Sequence, residues 1–483
     1  MNYSIKKSIP TKADTILIPF LATQTLESLW GTETFSVNFA FFEKQIKTDK
    51  QLILAKDDKF WHFVQIDEQA NKAEIQKSWI KILVQQKEKE NWAILLDYCN
   101  NENIVYLMCQ ATRRGLYRIG NFKSEQTSAN NAGKIIFVTA NKDKDFVKNI
   151  EKSWQRAEIQ CNMMDWMNAP SNAKKPLILA KEISRLAKEK GLKTTLYDAK
   201  AARKKGFYAL LGVGQGSADE AAMLVLEYQK EKENLDKKLP QIALVGKGVT
   251  FDTGGISIKS ANNMHYMKSD MGGAAAVVGT LLWASVQQWD CHLIGIVPLT
   301  ENCVDAKSIK PGDVLQSYSG KTIEVIDTDA EGRLILADGL ALAVKDFKPE
   351  VMIDLATLTG SCVMTLGYEA GGLFTQNETL AQQLYDAGQE SGEKLWRLPL
   401  WDAYAPDIAS DIADVRNFSG KPLAGAISAA KFLEVFTAKH PAWAHLDIAG
   451  VAFGDTPYGK MKNATAYGLD LLSTFLDNYL IKN

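Results

Sequence analysis

The sequence is short of the features that mark several common protein classes. No run of eighteen or more apolar residues occurs among its 483 positions, so no segment has the make-up of a membrane-spanning helix. Its six cysteines, Cys99, Cys109, Cys161, Cys291, Cys303 and Cys362, include no Cys-x-x-Cys pair, which argues against a zinc knuckle and a disulfide framework. Scattered thiols of this kind fit a reducing cytoplasm. Only five histidines are present (His62, His265, His292, His440, His445), none in a His-x-x-x-His pair, so a histidine-dominated zinc site is not expected. Net charge is also missing: 56 basic residues nearly cancel 57 acidic ones, leaving −1. The chain as a whole is therefore not drawn to nucleic acid or to an anionic membrane. Residues 1–13 lack the apolar core of a secretory signal.

What is present is an ordinary globular composition, 46% hydrophobic, at a length that one core rarely organises. Two domains are expected. Strand-like runs at 15–21, 52–54, 60–66, 92–96 and 133–138, with a helical run at 73–86, suggest a small N-terminal α/β domain over residues 1–142. Residues 143–168 read as one amphipathic connecting helix, with Phe146, Ile150, Trp154, Ile159 and Met163 at helical spacing and a stop at Asn168-Ala169-Pro170. Residues 169–483 form the expected catalytic domain. Strands at 193–197, 222–228, 241–245, 292–298 and 351–355 alternate with helices at 177–190, 198–204, 272–287 and 334–345, and residues 229–238 read as an exposed charged loop. The fold class is thus α/β, with a mainly parallel central sheet covered by helices.

Two glycine-punctuated segments carry the chemistry: Gly246-Lys247-Gly248-Val249-Thr250-Phe251-Asp252-Thr253-Gly254-Gly255 and Asp327-Thr328-Asp329-Ala330-Glu331-Gly332-Arg333-Leu334. Both follow strand-like runs, and ligands in such sheets gather at the strands' carboxyl ends. With Asp270 between them, they offer four hard oxygen donors, Asp252, Asp270, Asp329 and Glu331, beside Lys247 and Lys259. Carboxylates brought together repel unless cations neutralise them, and four can hold two divalent ions if some of them bridge. Each residue also has an ordinary reading. Asp270 is equally suited to cap the following helix, Asp252 and Asp329 to form turns, and the lysines to sit in solvent. The constellation is the signal. An EF-hand-like spacing from Asp327 to Asp338 fails because residues 322–326 are strand-like where a helix is needed, and Gly246-Lys247-Gly248 lacks phosphate-loop spacing.

These segments make the chain resemble the cytosolic, two-metal leucyl aminopeptidase family. Residues 328–334 match its signature Asn-Thr-Asp-Ala-Glu-Gly-Arg-Leu at every position but the first, where Asp327 replaces asparagine. Residues 246–259 resemble its lysine-aspartate segment, and Met267-Lys268-Ser269-Asp270-Met271-Gly272-Gly273-Ala274 its next aspartate. The resemblance runs from about Asn168 to the C-terminus; the N-terminal region matches only in size and style.

The resemblance implies a metal set of Lys247, Asp252, Asp270, Asp329 and Glu331, with Asp252 and Glu331 bridging two divalent ions, manganese or zinc. It implies that Lys259 and Arg333 are catalytic, Lys259 stabilising a gem-diolate and Arg333 holding a bicarbonate, while a bridging water attacks the first peptide bond. Met267, Thr357, Leu358, Gly360 and Ala449 would bind the substrate, with backbone groups offered by Leu358 and Gly360 and an apolar first pocket suited to leucine. Family members form hexamers, dimers of trimers, so a homohexamer acting on peptides is expected. Asp327 would alter metal preference if it faces the site and be neutral if it caps a turn. Cys362 would sensitise activity to oxidation only if it is reactive. Two other readings are weighed: an added DNA-binding architectural role, as some bacterial relatives have, which the charge balance does not support, and a phosphoryl hydrolase, which the missing phosphate loop disfavours.

Overall fold

The computed structural model describes residues 3–24, 39–85, 90–120, 122, 124, 133–230 and 239–482. Most of the charged stretch expected as a loop, residues 231–238, and position 86 at the end of the expected first helix lie outside them. Contacts divide the chain into two compact units, Met1–Glu158 and Ile159–Asn483, and the division falls inside one continuous helix, Lys144–Asn168.

The first unit is built on a six-stranded sheet in the order Tyr3–Lys6, Ile135–Val138, Trp92–Leu95, Thr15–Leu21, Lys59–Ile66, Gln51–Lys56. All neighbours are parallel except the last two, which form a hairpin turning through Asp57 and Asp58 at positive φ. Paired positive φ values are what a tight hairpin needs to follow strand twist. Thr15–Leu21 is buried along its whole length, as a strand covered on both faces should be. Helix Glu102–Gly115, absent from the sequence expectations, is capped by Asn101, whose side chain accepts the Ile104 N–H.

The second unit holds a nine-stranded sheet. Its four central strands, His292–Asn302, Gln241–Gly246, Val351–Ala356 and Trp443–Asp447, are parallel and buried. Antiparallel pairings with Ala222–Gln229 and Gly371–Phe374 extend the sheet on either side of these four strands. Helices Gly272–Gln287 and Glu331–Leu342 are buried nearly all round, which is why both read as apolar on every face. Each fully buried Leu, Ile or Val here contributes about 1.5–3 kcal/mol, so the core fixes the strand ends firmly.

Two boundaries shift in ways that matter. His292–Asn302 continues past its expected end at 298, and a further short strand, Gly248–Asp252, pairs in parallel with that extension. The helix expected to start at Leu334 begins at Glu331, so Glu331 and Arg333 lie in its first turn. No helix among the described residues is long and apolar enough to cross a membrane.

Candidate metal centre at the carboxyl ends of the parallel strands

Lys247 directly follows Gln241–Gly246, Asp252 ends Gly248–Asp252, Asn302 ends His292–Asn302, Thr357 follows Val351–Ala356, and Asp447 ends Trp443–Asp447. The sheet alone thus delivers five polar side chains to one edge. Asp270 arrives on the 3-10 turn Met264–Ser269, and Asp329 and Glu331 arrive at the start of helix Glu331–Leu342. Carboxylates at a helix N-terminus are favoured by the unpaired N–H groups there.

Asp252, Asp329 and Glu331 each present an oxygen within 4.8 Å of the others. Asp270 joins through lysine: Lys247 Nζ lies 2.8 Å from Asp270 Oδ2 and 2.9 Å from Glu331 Oε1, and donates to the Thr357 carbonyl at 2.9 Å. Lys259 Nζ pairs with Asp252 Oδ2 at 2.8 Å and with Asp329 Oδ1. Neither lysine is a solvated surface charge, as the ordinary reading would have it. Gly332 is required by this packing, because a Cβ there would lie 2.6 Å from Lys247 Cε.

Electrostatics show how strained the cluster is for negative charge. Burial, then mutual repulsion, pushes the carboxyls of Asp270, Asp329 and Glu331 above the usual range, with the lysines acting in the opposite direction. Burial alone would depress the two lysines, but the surrounding carboxylates overcome it and hold both amines protonated. Even so, Glu331 Oε2 is buried without a hydrogen-bond donor. A buried carboxylate oxygen left without a donor, on a residue only 1% exposed and in a set of hard oxygen donors, is the arrangement a divalent cation satisfies. The residues present therefore fit such an ion.

A framework invisible in the sequence motifs holds the two acidic segments together. Asn302 Nδ2 donates to Asp252 Oδ1 at 2.9 Å and to the Thr328 carbonyl at 3.0 Å, and Thr328 Oγ1 donates to the Gly254 carbonyl at 2.7 Å. Asn417, fully buried, accepts the Ile326 and Asp327 N–H groups on Oδ1, donates to the Asp327 carbonyl, and accepts Arg333 Nη1 on its own carbonyl at 2.7 Å. Asp327 Oδ1 accepts the Asp329 N–H at 2.9 Å, so its side chain caps the turn. Arg333 is buried, with Nε lacking a partner; burial pulls its pKa down to about 10, against Glu331, Asp327 and Asp447, and it stays charged at neutral pH.

One of the ordinary readings is excluded. Asp270 is not a helix cap: the helix begins after Met271 without a side-chain cap, and Asp270 Oδ1 accepts Thr357 Oγ1 at 2.7 Å. The Leu358 N–H donates to Asp447 Oδ1 at 3.2 Å. Asp447, fully buried, also accepts Thr359 Oγ1 and the Ala449 N–H, joining the two loops beside the centre. Lys174 is a further residue that the motifs miss. Buried, and with no carboxylate partner among the described residues, it donates to the carbonyls of Trp166, Met167 and Lys268, and burial pulls its pKa down to about 7. Cys362 is buried, and its thiol is pushed well up by burial, so it is not a reactive thiolate.

A cavity of about 720 Å³ opens over the centre. Lys247, Asp252, Lys259, Asp270, Asp329, Glu331 and Arg333 line it together with Met267, Thr357, Leu358, Gly360 and Ala449, so every site residue expected from the sequence meets in one space. Tyr266 and Phe453, 5.4 Å apart, add apolar wall.

A buried carboxylate-lysine centre at the ends of parallel strands, under a partly apolar cavity, defines a hydrolase-like α/β enzyme suited to hard divalent cations. Comparison with known proteins makes the class specific. The catalytic-domain model of the cytosol aminopeptidase family matches residues 162–473. A probable cytosol aminopeptidase of Chloroherpeton thalassium is 40% identical over 398 residues, covering 78% of this chain and 77% of that relative. Among solved structures, the bottromycin maturation enzyme BotP in complex with Mn superposes with a TM-score of 0.84 at 27% identity, covering 97% of this chain and 100% of that one. The cytosol aminopeptidase from Coxiella burnetii gives 0.80 at 28% identity over 98% and 99%. The chain belongs to the cytosol aminopeptidase family, and it is an aminopeptidase, a hydrolase of peptide bonds.

Proposed function

We propose that this aminopeptidase removes N-terminal leucine and other apolar residues from peptides at a dinuclear metal centre. The observation that carries the reading is the donorless Glu331 Oε2, on a residue whose carboxylate clusters within 4.8 Å with those of Asp252 and Asp329 on the wall of the cavity that Met267 and Ala449 also line. Asp252 and Glu331 would be shared by both ions; Asp329 would complete one site, and Lys247 with Asp270 the other. When bound, the ions supply Lewis acidity, lowering the pKa of water and polarising the scissile carbonyl. Manganese, named with BotP, is the first cation to test, and zinc the second.

The chain's own groups do the rest. Lys247 must give up its proton to act as a ligand, which a neighbouring dication favours over the ammonium now paired with Asp270 and Glu331. Lys259 keeps its charge and donates to the oxygen that becomes negative as the carbonyl is attacked. Arg333 cannot accept a proton itself; its buried, unpartnered Nε suits it to hold an anion such as bicarbonate that relays one. Met267 and Ala449 give the first side-chain pocket an apolar lining.

A cytoplasmic homohexamer is part of this proposal, and light scattering should then give about six times 53.5 kDa. Purified protein incubated with manganese or zinc should release leucine from leucinamide. Release that is absent with both metals, from folded protein, would overturn the reading.

A further inference from the structure

Three lysines line the cavity over the centre, and their surroundings differ. Lys247 and Lys259 are each held by two carboxylates. The third, Lys462, lies beside the short strand Asn463–Ala464 and is half-buried. Its Nζ sits 4.2 Å from the centroid of the Tyr368 ring and donates to Tyr368 Oη at 3.1 Å. Among the described residues it has no acidic partner.

A lysine ammonium carries three donors, and a phenol oxygen occupies only one of them. The Tyr368 ring, itself 60% exposed, attracts the charge without neutralising it, so the pair keeps a full positive charge at the solvent-facing rim of the cavity. Holding a flexible lysine in one place removes much of the entropy that binding an anion to it would otherwise cost. An aminopeptidase cavity receives one anion from every unmodified peptide whatever its sequence, the C-terminal carboxylate. In a short substrate that group lies close to the bond being cut, and each added residue moves it away by about 3.3–3.6 Å. A fixed cation therefore discriminates by length.

We propose that Lys462, held by Tyr368 at the cavity wall, binds the C-terminal carboxylate of short peptides and makes di- or tripeptides with a free carboxylate the favoured substrates. The inference rests on the aminopeptidase reading above, and deepens it by naming a substrate class.

The test measures kcat/KM for Leu-Gly, Leu-Gly-Gly and Leu-Gly-Gly-Gly, each as free acid and as C-terminal amide, with leucinamide as the reference for the reaction itself. In the unaltered enzyme the acid-to-amide ratio should peak at one length at about tenfold, the worth of roughly 1.4 kcal/mol. In K462M, which keeps the apolar stem, that ratio should fall to near one through KM, and K462R should restore it. Y368L, which frees the lysine, should lower the ratio part of the way, and it supplies the answer if K462M does not fold. Equal ratios in the unaltered enzyme and K462M at every length would overturn the proposal. So would a uniform loss over acids and amides accompanied by a change in molecular mass, which would assign Lys462 to a contact between copies. An enzyme that leaves leucinamide uncut refutes the underlying reading, and this proposal with it.

Discussion

Each compact unit is built on a sheet with parallel strands, and each places acidic groups just past strand ends, yet the two treat those groups in opposite ways. In Met1–Glu158, Asp97 follows strand Trp92–Leu95 and accepts Thr139 Oγ1 and, at 2.7 Å, the Ala140 N–H, while Asp67 follows Lys59–Ile66 and accepts the Gln69 N–H at 2.9 Å. Asp67 finishes a local turn, and Asp97 ties its strand end to the segment that follows Ile135–Val138, so each carboxylate is satisfied by donors of the chain. In Ile159–Asn483 four carboxylates share two lysines, and the buried Glu331 Oε2 is left with neither a hydrogen-bond donor nor a paired lysine. A parallel sheet end is only an opportunity; buried charge that the chain does not fully satisfy is what makes it a site.

Breaking the comparison at its strongest point should give the largest effect. Glu331→Gln removes a charge from the position proposed to be shared by two cations, and kcat/KM should drop by about 10³-fold or more, the worth of several kcal/mol of cation-assisted stabilisation, in an assay of leucine release. Lys259→Met should cost about 10²- to 10³-fold, mainly in kcat, as expected for loss of one donor to developing negative charge. The equivalent change in the other sheet, Asp97→Ala, should leave the rate on leucinamide within about twofold while lowering thermal stability by about 1–3 kcal/mol, since its two donors lose their acceptor.

The smallest expected effect sharpens the contrast by pH. Burial pulls His62 in the first unit down to about 4, so as pH falls from about 6.5 to 4 the unfolded chain takes a proton that the native chain refuses, and stability drops. Burial pushes Asp338 in the second unit up to about 7, against the N–H groups of Leu210, Tyr318 and Ala209. From about pH 4 to 7 the native chain keeps a proton that the unfolded chain releases, so this group makes stability fall as pH rises. Denaturant titrations across this range should show His62→Gln flattening the acid-side slope and Asp338→Asn removing the opposing one.

The parts legible in the sequence share a cause. Strands Thr15–Leu21 and Lys193–Tyr197 and helix Gly272–Gln287 were readable at their observed bounds because local pattern and burial agree there. Strand Gly248–Asp252 was not, because Gly248 and Asp252 at its ends disfavour strand, only three strand-forming residues lie between them, and it exists by pairing with the end of His292–Asn302. The metal-set candidates cluster in short motifs and were readable for that reason. Their supports were not: Asn417 reaches Asp327 across 90 positions and Asp447 reaches Leu358 across 89. Asparagine and aspartate at such distances leave no spacing to recognise. The turn-capping role of Asp327, left open by its chemistry, followed only from the Asp329 N–H it accepts.

A carboxylate cluster that holds two cations, as proposed, should bind them without substrate. Crystals soaked in manganese and measured for anomalous scattering test it most directly. Two peaks, both touching the Asp252 and Glu331 carboxylates, with one also near Asp329 and the other near Lys247 and Asp270, are the predicted result. The account is contradicted if an enzyme that cleaves leucinamide shows no peak there and keeps both lysines paired with the carboxylates.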